Sequence, residues 1–288
     1  MDAKDLLKKV RKVEIKTKRL SNNLFGGEYH SAFKGRGMTF SEVRGYEFGD
    51  DVRTIDWNVT ARYNQPFIKV FEEERELTLM LIIDISGSKY FGTDSQLKKE
   101  IVTEISATLA FSAIQNNDKV GLILFSDQIE LFIPPSKGKS HILRIIRELI
   151  EFKPASLKTD ISVALKFFSN IVTKKSIAFI ISDFNSNDYS KSLSIASKKH
   201  DITGIRIFDR FEEDIPNIGF VPMLDQESFE LKHIDTSSKK IRTDYKAKCL
   251  GRKKNFEDLF KRNGSGTINC RTDQSYVKLL LGYFKNRG

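Results

Sequence analysis

The chain has little of what builds covalent or thiolate frameworks. Only two cysteines occur, Cys249 and Cys270, with no second pair and no supporting histidines. That argues against a disulfide scaffold or a zinc site and fits a reducing cytoplasm. The four histidines, His30, His141, His200 and His233, are scattered, and each reads as an exposed or structural residue rather than a base. No apolar run approaches the roughly 20 residues of a membrane helix, so no stable membrane insertion is expected. The first twenty residues carry eight Lys/Arg and three acids, too charged for a secretory signal. No phosphate loop, dinucleotide glycine fingerprint, zinc-protease helix or nucleophile elbow is present, and no enzyme is expected.

What is present is a globular balance: 40% hydrophobic and 30% charged residues over 288 positions, enough for one large domain or two modest ones. The net charge of +10 is uneven, at +5 over residues 1–20, −5 over 21–230 and +10 over 231–288. An acidic centre argues against a nucleic-acid channel through the main fold. The basic ends leave room for RNA, DNA or an acidic partner.

Residues 1–20 place Ala3, Leu6, Val10, Val13, Thr17 and Leu20 at three- and four-residue steps, the stripe of an amphipathic basic helix. Such a helix docks on its own domain or meets a membrane surface or partner. Residues 21–76 lack long apolar periodicity; short strands are expected at 38–44 and 66–71, with turns at "FGDD" and "YNQP". This segment is too polar to fold alone and is expected to pack on the domain that begins at residue 77. From 77 to 235 strands and helices alternate, with strands at 77–84, 119–125, 128–135, 176–183 and 201–209 and a hairpin near 218–232. Residues 236–288 add a charged helix within 238–263, the strand "TINC" and a last helix "SYVKLLLGYFKN", an extension of the same domain. The alternation predicts an α/β fold: a doubly wound, mostly parallel sheet covered on both faces, with an N-terminal polar β extension. Its ligand site belongs beyond the carboxyl ends of the strands, near the switch point.

The stretch "LTLMLIIDISGSKYFG" runs through apolar positions and then sets Asp84, Ser86 and Ser88 at alternate places. Alternate oxygens in a tight loop aim at one point, and Gly87 lets the backbone bend closely around it. A hard divalent cation wants about six oxygens in an octahedron. Thr159 in "LKTDISVAL", at a loop-to-helix junction, and Asp183, ending a second apolar run, supply two more. Two carboxylates balance the ion, and one position remains for an outside carboxylate. Mg²⁺ is the default, with Mn²⁺ or Ca²⁺ as alternatives. Each residue also has a plain structural role open to it: turn hydrogen bonds for the serines, a helix N-cap for Thr159, an Asx-turn for Asp183.

The set Asp84-x-Ser86-x-Ser88, Thr159 and Asp183 resembles the metal-ion-dependent adhesion site of von Willebrand factor A-type domains. That resemblance implies direct binding of the ion by the Ser and Thr hydroxyls and mainly water-mediated binding by the two Asp. A partner's acidic side chain completes the shell. The run "VRGYEFGDDVRTIDWNVTAR" (43–62) resembles the signature of a bacterial family catalogued as domain of unknown function 58, whose members join such a stretch to an A-type domain. Two positions depart from its pattern, Thr39 and Lys89. The family resemblance implies action beside a MoxR-type AAA+ ATPase in assembly or maturation of other proteins. Within the signature, Arg44, Asp50, Asp51, Arg53, Asp56 and Arg62 alternate in sign as an ion-pair network would, and Trp57 is the only tryptophan. These residues form either a polar clamp onto the sheet or a docking face for a partner, with Trp57 and Arg62 as its energetic centres.

Three functional readings are open. The first is a metal-dependent module that binds an acidic residue of a partner protein. The second is nucleic-acid binding through the basic termini. The third is a metal-dependent hydrolase using Asp84 with Asp50 or Asp51.

Overall fold

The computed structural model describes residues 10–14, 16–17, 39–72, 77–87, 98–224 and 231–287. The chain divides into two compact units, Lys34–Leu77 and a larger one made of Met1–Phe33 with Thr78–Gly288.

In the smaller unit, β1 (Thr39–Gly45) pairs antiparallel with β2 (Phe67–Glu72), and between them lie a short 3-10 turn (Val52–Thr54) and α1 (Trp57–Tyr63). Acidic residues start both turns. Asp51 accepts from Arg53 N at 3.0 Å, and Asp56 accepts from Asn58 N at 3.0 Å and from Val59 N. Helix α1 stops at Asn64, whose φ of 55° lies in the left-handed region that asparagine tolerates. Ile68 is the one buried apolar side chain among the residues of this unit whose side chains are described.

The larger unit is built on six strands: β3 (Thr78–Asp84), β4 (Lys119–Phe125), β5 (Ile129–Ser136), β6 (Ile177–Ser182), β7 (Asp201–Phe208) and β10 (Gly266–Arg271). A separate hairpin joins β8 (Phe220–Leu224) to β9 (Leu231–Asp235). Across the sheet the order is β10-β7-β6-β3-β4-β5, all parallel except β5 at one edge. Counted by sequence from the β5 edge, the six strands run 3-2-1-4-5-6, the doubly wound arrangement whose switch point falls between β3 and β6. β5 carries Pro134 and Pro135 where its register with β4 shifts, the kind of edge position that tolerates a residue without an N–H. Residues 236–288 are integral to the sheet, because β10 is its sixth strand.

Strands β3, β4 and β6 are buried on both faces, which is why they read as unbroken apolar runs. One face packs Met80, Ile82, Ile123 and Ile180 against α4 (Ile161–Ile171), α5 (Ser190–Lys199) and α7 (Lys239–Arg262). On the other lie α2 (Lys98–Gln115), α3 (Lys139–Glu151) and α8 (Tyr276–Arg287), whose Phe284 meets Phe179 edge-on with 6.3 Å between centroids. A four-residue α6 (Arg210–Glu213) follows β7.

Helix α2 is buried nearly all round, Thr103, Ser106, Thr108 and Ser112 included. Those hydroxyls bond back to the carbonyls four residues earlier at 2.6–2.9 Å, which satisfies their donors within the helix. The described part of the N-terminal helix docks on its own unit: Val10 and Thr17 are buried, Lys16 pairs with Glu104 at 2.6 Å and Glu14 with Lys139 at 2.6 Å.

At the amino end of the sheet a polar cluster is closed on itself. The Arg287 guanidinium donates to Asp201, to Tyr283 and to Thr203 Oγ1, while Thr203 and Tyr283 bond each other at 2.8 Å. Gly266 fits beside it because a Cβ there would lie 1.9 Å from the Tyr283 hydroxyl.

Candidate metal centre

At the carboxyl end, the period-2 alternation of β3 and β6 sets Asp84 and Ser182 on the same face as Ile82 and Ile180. Asp84 is buried; Oδ1 accepts from Ser86 N at 2.9 Å and Oδ2 from Ser182 Oγ at 2.6 Å. Burial pushes the Asp84 carboxyl up to about 6 and the charge of Asp183 adds to this, against the hydrogen bonds from Ser182 and Ser86. Ser86 is 1% exposed, and its Oγ helps to lower that pKa yet meets no hydrogen-bond geometry with any partner among the described residues. Ser88 and Lys89 lie outside the described residues.

The Thr159 loop is brought to this turn by backbone. Gly87 N donates to Leu157 O at 3.0 Å, and Asp160 N donates to Ser126 O at 3.0 Å. Glu130 fastens the same loop, accepting from Ala155 N at 3.1 Å, Ser156 N at 3.2 Å and Ser126 Oγ at 2.7 Å. Thr159 is buried, and the N-cap of α4 is its neighbour Asp160, which accepts from Ser162 N at 2.8 Å. Capping is therefore not the task of Thr159.

Asp183 is half-buried just past β6 and does close an Asx-turn, accepting from Asn185 N at 2.9 Å through Oδ1. The next residue, Phe184, is forced to a φ of 59° and is held there by ring contacts with Phe256 at 4.3 Å and Phe260 at 5.4 Å. A third carboxylate, Glu212 of α6, feels the charge of Asp183; burial raises its pKa and a buried ion pair with Lys98 opposes the rise. Asp84, Ser86 and the Thr159 loop thus meet at the switch point, with Asp183 close enough to raise the Asp84 pKa. No group of three or more His, Cys, Asp or Glu spaced for a metal occurs among the described residues.

Sequence reasoning missed Ser182, Glu130 and the Lys98–Glu212 pair. Only Ser182 left a signal, as the polar residue in phase with Ala178 and Ile180.

The signature residues of the smaller unit do not form one network. Arg44 binds Asp50 through two hydrogen bonds of 2.8 Å, which holds the Asp50 carboxyl below the usual carboxylate range. Arg53 reaches Asp51 only at 3.9 Å, and Asp56 pairs with Lys69 at 3.5 Å, a residue the sequence did not single out. The network separates into pieces because Asp51 and Asp56 are engaged as caps. No ion pair of Arg62 occurs among the described residues. Trp57 is 71% exposed and, with Thr60, Ala61, Asn64 and Pro66, lines a groove of about 270 Å³. Asp50 and Asp51, named for the hydrolase reading, are both engaged within their own unit.

Comparison with known proteins agrees with this architecture. The uncharacterized protein Rv1480 of Mycobacterium tuberculosis is 24% identical over 290 residues, spanning 100% of this chain and 91% of its own length. The uncharacterized protein YeaD of Bacillus subtilis is 29% identical over 109 residues, 38% of this chain and 25% of that protein. Among solved structures, an aerotolerance-related membrane protein from Bacteroides fragilis matches with a TM-score of 0.50 at 15% identity, over 73% of this chain and 99% of that one, a likeness of fold. The family model described as protein of unknown function DUF58 matches residues 42–255, and the chain belongs to the DUF58 family.

Proposed function

We propose that this protein is a metal-dependent protein-interaction module. In this reading Asp84, Ser86, Ser88, Thr159 and Asp183 hold Mg²⁺, with Mn²⁺ or Ca²⁺ as alternatives, and the bound ion captures an acidic side chain of a partner. The observation that carries it is the convergence of the buried Asp84 carboxylate, the buried Ser86 hydroxyl two residues on and the Thr159 loop at the switch point, with the charge of Asp183 opposing that of Asp84. Carboxylate charge opposed by burial and by a like charge costs stability, and a hard cation removes that cost. The ion would supply an electrophilic contact for an incoming carboxylate. The chain's own residues orient it: Ser182 fixes the Asp84 carboxylate, and Glu130 and Ser126 fix the Thr159 loop.

The partner in this reading is a MoxR-type AAA+ ATPase or one of its clients. The work is assembly or maturation of other proteins in the cytoplasm, without catalysis by this chain. Among the described residues no helix is long and apolar enough to cross a membrane. The test is a Mg²⁺ titration of thermal stability in wild type and Asp84→Ala. A rise in wild type that Asp84→Ala abolishes is expected; an equal response in both, or none in either, rejects the site. Affinity capture with and without chelator then identifies what the ion retains.

A further inference from the structure

The largest charged feature outside the site is α7, and it is not evenly placed on the sheet. Its Phe256 and Phe260 reach Gly204 in the middle of β7, whereas Arg252 Nη1 donates to Asn185 Oδ1 at 3.3 Å, two residues past Asp183. The helix therefore runs from mid-sheet up to the carboxyl rim, and residues 239–251 continue past it. At 1.5 Å per residue that overshoot is about 20 Å long. It carries Lys239, Lys240, Arg242, Lys246 and Lys248 against a single acid, Asp244, and Cys249 is its one buried residue.

These cations are largely uncompensated. Lys246 pairs with Asp214 at 3.0 Å, but among the described residues Lys239, Lys240, Lys248, Lys253 and Lys254 have no carboxylate within ion-pair distance. The rim beside them has the opposite character, with Asp84, Asp183 and Glu212 set against Lys98. An excess of positive charge in a solvated helix stabilises nothing within the fold, and it complements a partner of the opposite sign.

We infer that the metal site and the basic half of α7 form one recognition surface for an acidic polypeptide segment, with one carboxylate reaching the ion and its neighbours lying along α7. This rests on the metal-site reading and names the class of partner that site takes. A lone carboxylate would use the ion alone; a run of Glu or Asp would use both, gaining affinity from the second contact without a new pocket.

The experiment follows binding of fluorescein-labelled deca-glutamate to the full chain by anisotropy, at physiological salt with Mg²⁺ or chelator. A peptide holding one Glu among Gly and Ser, and an oligothymidylate of equal charge, serve as companions. The variants are Asp84→Ala and the exposed triple Lys239→Ala, Lys240→Ala, Lys248→Ala, with thermal midpoints checking that each is folded. Deca-glutamate is expected to lose about tenfold in affinity in the triple variant and also on chelation, while the single-Glu peptide responds to chelation alone. Unchanged deca-glutamate binding in the triple variant overturns the inference. So does binding that the triple variant weakens but neither chelator nor Asp84→Ala alters, since α7 and the rim would then be separate surfaces. Tighter, chelator-independent binding of oligothymidylate overturns it in favour of nucleic acid. A wild-type Mg²⁺ shift in stability that persists through such failures leaves the metal site standing; its absence removes both.

Discussion

The two ends of the central sheet hold polar clusters of similar size and opposite balance. At the amino end Arg287, Asp201, Tyr283 and Thr203 match donor to acceptor and cation to anion. At the carboxyl end burial and the charge of Asp183 together raise the Asp84 carboxyl, and Phe184 beside them holds a left-handed backbone. A closed network fixes geometry; an open one is stabilised only by something that binds it. The closed cluster stands on β7, β10 and α8, the open one on β3, β6 and the turns that follow them.

The amino end is the easier one to disrupt. Gly266→Ala places a methyl group against the Tyr283 hydroxyl and forces the network apart, at a cost of about 3 kcal/mol in urea unfolding, with no change in Mg²⁺ response. A cost under about 1 kcal/mol would show that this end is looser than its contacts imply.

The carboxyl end behaves in reverse. Asp84→Asn, measured in chelator at neutral pH, removes a buried charge and raises stability by about 2 kcal/mol while abolishing the Mg²⁺ gain. A site that loses stability on this change in the absence of metal is not an open one.

Acid separates the two ends by sign. Asp84 has a folded pKa of about 6, above its ordinary 3.8, so its contribution to stability grows as pH falls through 6 towards 3.8 and is lost again as pH rises. His200 precedes β7 at the amino end, packed on Phe168 at 4.3 Å, and burial lowers it from 6.5 to about 4. Protonation favours the unfolded chain there, so stability falls between pH 6.5 and 4. His200→Gln is expected to flatten that acid loss by about 2 kcal/mol, read from urea midpoints across the range. An unaltered pH profile refutes the assignment.

The smallest effect concerns the site itself. Ser182→Ala removes the donor that orients Asp84 and weakens Mg²⁺ about tenfold, and because Ser182 Oγ also accepts from Phe184 N at 3.0 Å it lowers stability in chelator by about 1 kcal/mol. Calorimetric titration measures it, and equal affinity would make Ser182 a bystander.

Much of this was legible in the sequence for a physical reason. Buried parallel strands are apolar on both faces, so their polar ends stand out, and Asp84 and Asp183 lie where the runs stop. The hydroxyl of Thr159 and the cap at Asp160 are adjacent, and sequence alone does not say which residue starts the helix. The tie from Glu130 to the Thr159 loop was invisible because its partners there are backbone amides of residues 155 and 156, which any side chains would supply. The ion-pair network expected of 43–62 depended on acids facing basic side chains, whereas capping drew Asp51 and Asp56 to backbone N–H groups. Burial of α2 on all sides was hidden by its serines and threonines, polar by composition yet satisfied within the helix.

The paired prolines of β5 have a consequence for how molecules meet in solution. Pro134 and Pro135 are adjacent on that outer strand, so one faces β4 and the other the open edge; an approaching strand finds a rung there without a donor, which disfavours side-by-side pairing of sheets.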